Sequence, residues 1–436
     1  MLLQFTVENF LSFRERTTLS LLADGAVEHA DNQVLEGPDG LKVLRCAALY
    51  GANASGKSNL VRALKFAQGL VLEGTRPDAK TGVIPFRLEA ETRNRPSHFE
   101  LEVASAGVRY SYGFEITSLR IEAEWLYSVC GEQESLLFER DASGKVALGD
   151  LGADEERKKF LGFVAEGTRS NQLFLAEARE RNVGELEGVR TALHKLWITL
   201  AGDTPIPFVE AAYQDDALRD YASSLVADAG TGISSLEIRP SLPSASQSEA
   251  LSKLLDRTGA VFATPGFEFA IARDASGTLR TYTLMALHSG KDGSSVAFTA
   301  QEESDGTRRL LTLSPLLYRL HRDAGTVAVA DELERSLHPE LTRHFLKRFF
   351  AESTGQMLFT THDTNLLDAR LLPRDSIWFV EKDHSGASRA YSLAEFNPAQ
   401  LLQLETSLED GYLQGRFGAI PFFGDPQKLG WAKKAT

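Results

Sequence analysis

Cysteine is nearly missing from this chain: two residues in 436, Cys46 and Cys130, each among apolar or aromatic neighbours. Two thiols cannot make a disulfide framework and are too few for a metal cluster, which points to a reducing compartment. Long hydrophobic runs are lacking as well. No stretch approaches the ~20 uninterrupted apolar residues that a membrane helix needs. The opening MLLQFTVENFLSF places a glutamate and an asparagine where a secretory leader would carry a basic region and a small-residue cleavage site, so no leader is expected. Positive charge is in deficit, with 47 Lys and Arg against 60 Asp and Glu and a net charge of -13. That balance excludes a generally basic protein that coats nucleic acid and suits a soluble cytoplasmic chain with no membrane partner. There is no internal repeat, and no heptad run long enough for an extended coiled coil.

What is present is ordinary globular composition, 43% hydrophobic and 25% charged, in a chain long enough for two or three domains or one divided one. The first twenty residues read as two strands joined near Asn9 to Arg16. A polar loop follows, then a buried strand, VLRCAALY, and the helix SNLVRALKFAQGLVL with apolar residues at helical spacing. From about Ile84 to Phe138 the segments HFELEVA, VRYSYGFEI and EAEWLYSV alternate like half-buried antiparallel strands, suggesting a β subdomain inserted after that helix. From about Asp154 the pattern turns helical until a Pro/Ser-rich break, RPSLPSASQSEA, which precedes another short helix. Three strands, a helix, the buried strand TVAVADEL, a further helix and the buried strand QMLFTTH then imply a mostly parallel α/β core. The expected domains are an N-terminal lobe over 1–150, a compact helical lid or arm over 151–260, and a C-terminal lobe over 261–436.

Three motifs carry chemistry. Gly51-Ala52-Asn53-Ala54-Ser55-Gly56-Lys57-Ser58 satisfies the P-loop pattern, with an apolar strand before it and a helix directly after. Its glycines let backbone N–H groups wrap phosphates at a helix N-terminus, with Asn59 in the first turn. Lys57 would reach the β- and γ-phosphates, and Ser58 would give a hydroxyl to Mg²⁺. Thr326 to Glu332 is an apolar strand ending in two carboxylates, the Walker B pattern. Asp331 would hold the magnesium shell and Glu332 would polarise the attacking water. His362, in Thr360-Thr361-His362 at the end of the next buried strand, is placed to reach the γ-phosphate or that water. Each of the last two has a bland reading, an acidic helix cap or a structural histidine, that its company with the P-loop outweighs. No Asn-Lys-x-Asp motif for guanine occurs, so the nucleotide expected is ATP.

Ser304-Asp305-Gly306-Thr307-Arg308-Arg309-Leu310-Leu311, ahead of the acidic strand, resembles the signature motif of ABC-type ATPases. Glu334 to Pro339 looks like their D-loop. With VENFLSF at the start, SNQLFLAEA in the middle and Tyr412 to Pro421 in the tail, the chain resembles bacterial AAA-family ATPases related to the SMC, RecF and OLD proteins. These include the anti-phage defence ATPases of the RloA and PARIS types. The resemblance implies an α/β fold: an ABC-type P-loop ATPase head with a mixed sheet, an antiparallel β subdomain and a helical insert. It implies a homodimer or higher homo-oligomer joined head to head, in which Ser304, Asp305 and Gly306 of one subunit close the nucleotide site of another. It also implies a separately encoded effector, a nuclease or toxin. Gln172 is the candidate for the glutamine that reaches magnesium in such ATPases, and Arg14 for a contact to base or phosphates. Two alternatives stay open: a DNA-repair or chromosome-associated ATPase, and an OLD-like nuclease-associated ATPase. The missing heptads speak against the first. Against a fused nuclease, the residues after His362 contain no Asp-x-Asp pair. Contact with nucleic acid is left undecided by the sequence.

Overall fold

Strand Leu2–Glu8 turns through Asn9–Arg16 into strand Thr17–Ser20, with Phe5 opposite Leu19 and Val7 opposite Thr17. The computed structural model describes residues 1–131, 133–152, 154–201, 208–243, 248–249, 251–253, 262–263, 269–273, 276–397 and 407–420. Residues 244–247 of the Ser-rich break, most of the short helix expected after it, and Pro421 lie outside the described residues. The chain divides into two units. One comprises Met1–Ile198, Val329–Asp331 and Gln356–Thr436; the other comprises Thr199–Ala328 and Glu332–Gly355.

In the first unit the N-terminal hairpin does not stand apart from the later strands. Leu2–Glu8 pairs on its other side with Ser97–Ser105, and a seven-stranded antiparallel sheet continues from there to Val146–Leu148. The strands expected as an inserted subdomain are therefore an extension of the first sheet. The cause is the shared apolar face, where Phe5 lies opposite Leu101 and Val7 opposite Phe99, all buried. An unpaired hairpin edge would otherwise be open to other chains. Asn9 holds the turn in a left-handed conformation (φ 50) that asparagine tolerates better than most residues. Its fully buried amide donates to the Thr92 carbonyl at 2.9 Å and the Arg95 carbonyl at 2.8 Å.

The second sheet of this unit has the strand order Leu196–Thr199, Val327–Ala330, Gln356–Thr360, Cys46–Tyr50, Ile377–Lys382, Ser388–Ser392. Cys46–Tyr50 is buried at every residue and runs parallel to both neighbours, as an apolar run covered on two faces should. The acidic strand ending at Ala330 is thus one strand removed from the P-loop strand, about 10 Å at ordinary inter-strand spacing. Helix Lys57–Glu73 buries Leu60, Val61, Leu64, Ala67 and Val71. Phe66 packs between Phe10 and Phe99, ring centroids 5.3 Å from each.

The helical stretch divides between the units. Glu155–Gly167, Phe174–Glu180 and Glu187–His194 belong to the first, Phe208–Gln214 and Asp216–Asp228 to the second. The first group is tied to the P-loop helix: Gln68 Nε2 donates to the carbonyls of Leu193 and Leu196, each at 2.7 Å.

The second unit holds a sheet of five strands in the order Ile233–Ser241, Leu279–Ser289, Phe269–Arg273, Phe262–Ala263, with Ser295–Thr299 also on Leu279–Ser289. The break expected at Arg239-Pro240-Ser241 is instead the end of a strand, Pro240 lying opposite Tyr282. Proline is tolerated there because an edge strand has one side on which no N–H is needed. Helices Asp305–Arg322 and Pro339–Glu352 complete the unit, and Leu310, Leu311 and Tyr318 of the former join the apolar cluster formed with Asp216–Asp228 and the sheet.

Pro315 lies inside helix Asp305–Arg322 and has no N–H for the Leu311 carbonyl one turn back. Ser314 supplies the substitute, its buried Oγ donating to that carbonyl at 2.8 Å. Ser314→Ala would strand a buried acceptor and should lower stability by about 1–3 kcal/mol in urea unfolding, whereas a loss within the error of the fit would show the carbonyl to be satisfied elsewhere.

Candidate functional site

The P-loop leaves strand Cys46–Tyr50 at Gly51 and enters helix Lys57–Glu73 through Gly56, whose φ of 120 only glycine adopts readily. A methyl group on Gly51 would stand 2.1 Å from the Val380 carbonyl oxygen, and one on Gly56 would stand 2.3 Å from Ser388 Oγ. Both glycines are therefore required by close approach as well as by conformation. Ala54, in the left-handed region at φ 63, carries strain on the order of 1–2 kcal/mol. Lys57 is buried, and its Nζ donates to the Gly51 carbonyl at 2.7 Å and the Ala52 carbonyl at 3.1 Å.

Ser58 and Asp331, 273 residues apart, meet here: Ser58 Oγ donates to Asp331 Oδ1 at 3.0 Å. The same oxygen accepts Thr360 Oγ1 at 2.7 Å, so the strand lying between the two motifs orients the carboxylate. Hydroxyl and carboxylate oxygens are the hard donors that magnesium takes alongside phosphate. Ser55 Oγ is buried in the loop with no hydrogen-bond partner among the described residues. A buried hydroxyl left unmatched costs about 1–3 kcal/mol and fits a loop shaped for a polar guest. No cluster of three or more His, Cys, Asp or Glu side chains able to hold a metal exists among the described residues. A centre made of one hydroxyl, one carboxylate and substrate phosphates needs none.

His362 is exposed, on a backbone pinned from both sides. Thr361 N donates to the Leu49 carbonyl at 3.0 Å, and Asp363 N donates to Thr361 Oγ1 at 2.9 Å. Two residues that the sequence reading passed over brace the loop from outside. Ser388 Oγ donates to the Ser55 carbonyl at 2.6 Å and lies 2.8 Å from Ser12 Oγ, which in turn accepts Asn59 Nδ2 at 2.8 Å. Ser12 had a signal, its place in VENFLSF. Ser388 had none, because a strand pairing far along the chain delivers it. Arg14, two residues after Ser12, is ion-paired with Glu89 and Glu15 and lies 3.3 Å from Ser385 Oγ.

Gln172 is not at the phosphate loop. Its Oε1 accepts Thr75 N at 2.7 Å and Thr75 Oγ1 at 2.9 Å, just past the C-terminal end of the P-loop helix. That 17-residue helix separates it from Lys57 by about 25 Å. The assignment of Gln172 as a magnesium ligand is corrected on this ground: its acceptor oxygen is taken by the N–H and hydroxyl of Thr75, just beyond the helix end. The rest of SNQLFLA does similar work. Asn171 Nδ2 donates to the Ala79 carbonyl at 2.9 Å, and the N–H groups of Phe174 and Leu175 donate to buried Glu124 at 2.6 and 3.0 Å. Burial pushes the Glu124 carboxyl above its ordinary value, against the pull of those donors and of Arg140.

In the second unit Glu332 is held at φ 51, a left-handed conformation that breaks the strand's alternation. Arg309 Nη2 donates to the Glu332 carbonyl at 2.9 Å, so the helix of the signature segment fixes the peptide of the acidic residue. Ser304 caps that helix, accepting Thr307 N at 3.0 Å, and Asp305 pairs with Arg308. A methyl group on Gly306 would stand 3.1 Å from the Ser336 carbonyl, which places the first turn of the helix against the D-loop-like segment.

A family model described as "AAA domain, putative AbiEii toxin, Type IV TA system" matches residues 46–368. No curated protein matches the chain. Among solved structures, an SMC head bound to the C-terminal winged-helix domain of ScpA is 13% identical at a TM-score of 0.43, over 92% of this chain and 99% of that one. An SMC head domain from Thermotoga maritima is 13% identical at a TM-score of 0.40, over 90% of this chain and 98% of that one.

One substitution at two glycines of this segment should act in opposite directions. Gly51→Ala drives a methyl group into the Val380 carbonyl and should destabilise by about 2 kcal/mol or more. Gly69→Ala, in mid-helix with open space around it, should stabilise by up to ~1 kcal/mol. Equal midpoints in denaturant unfolding of the two variants would contradict the described loop packing.

Proposed function

The chain belongs to the AAA-domain family whose model it matches over residues 46–368, and from that premise we propose that it binds and hydrolyses ATP as the switch of a prokaryotic anti-phage defence system. The observation that carries the ATP reading is the 3.0 Å hydrogen bond from Ser58 to Asp331, which joins the end of the P-loop to the end of the acidic strand. The family description names a putative toxin and a toxin–antitoxin system, which supports a defence role; the separately encoded effector, a nuclease or toxin, is what the resemblance of the motifs implies.

In this reading the phosphates lie in the loop from Gly51 to Ser58, with Asn53 to Gly56 offering backbone N–H groups. Lys57 exchanges the carbonyls of Gly51 and Ala52 for the β- and γ-phosphate oxygens. Ser58 and Asp331 would hold magnesium, which would neutralise charge on the phosphates. Glu332 accepts a proton from a water as that water's oxygen attacks the γ-phosphorus and the bond to the bridging oxygen breaks. The left-handed turn at Glu332, fixed by Arg309, gives the carboxylate a direction that the strand alone would not. His362 contacts the γ-phosphate or the water. Ser304, Asp305 and Gly306 sit at the positive end of an 18-residue helix, a site suited to the γ-phosphate of a second copy. A monomer leaves that end unused, so two copies joined head to head form the active unit.

Glu332→Gln should bind ATP with the parent's affinity while turnover falls about 100-fold or more, the usual contribution of a positioned base. Chelation of magnesium should stop turnover of the parent. Light scattering with ATP should show the Glu332→Gln variant held in the larger assembly. Unimpaired hydrolysis by Glu332→Gln would sink the assignment of the base, and an unchanged size with ATP would sink closure between copies.

A further inference from the structure

The tail motif Tyr412 to Ile420 lies outside the P-loop, the acidic strand and the segment of His362. In the first unit it is locked onto the strand that supports the P-loop. Phe379, in the middle of strand Ile377–Lys382, is stacked by Tyr412 (5.5 Å between centroids, 15° between planes) and by Phe417 (5.6 Å, 19°). The next residue, Val380, is the one whose carbonyl leaves Gly51 no room for a side chain. Tyr412 also sets its ring edge against Tyr50, the last residue before the loop, at 6.1 Å.

Polar contacts fix the same register. Ala419 N donates to Glu381 Oε2 at 3.0 Å, Tyr412 Oη donates to the Ala419 carbonyl at 3.1 Å, and Tyr391 Oη donates to the Phe417 carbonyl at 2.7 Å. Against the upward push of burial, the Ala419 N–H, Arg389 and Tyr391 hold the Glu381 carboxyl below its ordinary value. Gly418, at φ 69, has no space for a methyl group, which would meet Tyr391 Oη at 2.5 Å and Glu381 Oε2 at 2.7 Å. A third tie runs elsewhere. Thr364, two residues past His362, donates its Oγ1 to Glu409 Oε1 at 2.6 Å from the first turn of helix Leu408–Leu413.

We infer that this tail is a positioning clip for the nucleotide site, setting the floor of the P-loop through Tyr412 and the segment that carries His362 through Glu409. The inference rests on the ATPase reading above. One short segment touches both Tyr50, at the start of the P-loop, and Thr364, two residues past His362, and supplies none of the phosphate-loop residues. Such a segment moves the reacting groups relative to one another when it shifts. A displacement on the order of 1 Å suffices to change a rate about 100-fold.

The full chain is assayed for magnesium-dependent ATP turnover, with kcat and KM taken per folded molecule, folded fraction being measured by near-UV circular dichroism. Thr364→Val and Glu409→Met each remove one hydrogen bond at nearly constant shape. They should lower kcat about fivefold with KM within about twofold. Tyr412→Leu removes the ring between Phe379 and Tyr50 and should raise KM about fivefold, while Tyr412→Phe keeps the ring and should restore a KM within about twofold of the parent. Constants equal to the parent's in all four variants would overturn the inference, and so would a loss that appears only as a smaller folded fraction. The Glu332→Gln variant separates the two claims. A parent without turnover sinks the ATPase reading and the clip together. A parent silenced by Glu332→Gln but indifferent to the tail variants sinks the clip alone.

Discussion

The carboxylate of Asp331 is the joint on which the candidate site depends. It ends a strand that is not a neighbour of the P-loop strand, so nothing in local pairing brings it to Ser58. The intervening strand does so, by ending at Thr360, whose hydroxyl takes the same carboxylate oxygen that Ser58 takes. Asp331 is buried, and a buried carboxylate without donors would cost several kcal/mol. Two hydroxyls from opposite ends of the chain offset that cost. The strand order therefore also has an electrostatic consequence: it delivers two hydroxyl donors to one buried carboxylate.

The same logic, a buried polar group that several distant segments must satisfy at once, recurs through the first unit. Asn9 binds the loop before Ser97 to the opening hairpin. Glu124 collects the N–H groups of Phe174 and Leu175 together with the Tyr112 hydroxyl at 3.0 Å. Gln356 receives Leu2 N at 2.8 Å and donates to the Leu2 carbonyl at 2.9 Å, joining the first strand to one 354 residues later. Apolar burial would tolerate small slips in how these segments meet, whereas paired donors and acceptors do not.

What could be read from the sequence follows from this distinction. The P-loop, the acidic strand and the capped helix at Ser304 were legible because each is local: a strand, a turn and a helix start within about ten residues, with the chemistry in the same window. The alternation of HFELEVA and VRYSYGFEI was legible for the same reason. That those strands extend the first hairpin was not, since pairing partners 90 to 101 residues apart leave no periodic trace. Gln172 failed for a related cause. Its residue type fits a magnesium ligand, but type does not report which helix end it faces, and Thr75 occupies it. Ser388 carried no motif at all, and its position against the Ser55 carbonyl is a product of sheet order.

Backbone strain is distributed in a way that composition could not reveal. Ala54, Glu332 and Ser336, all outside the usual conformations for residues with side chains, fall in three of the motifs proposed to handle nucleotide. Glycine would relieve each at no steric cost, yet it would also enlarge the set of conformations open to the unfolded chain and to the loop itself. At Glu332 the exchange is impossible if the carboxylate is the base, so the fold must supply compensation, and Arg309 is where it does so, by holding the carbonyl of that strained residue. A strained residue held by a neighbouring helix has two ways to relax, through its own torsion or through the helix. The Arg309 guanidinium thus ties the helix that begins at Ser304 to the peptide of the acidic residue, beside the close approach of Gly306 to the Ser336 carbonyl.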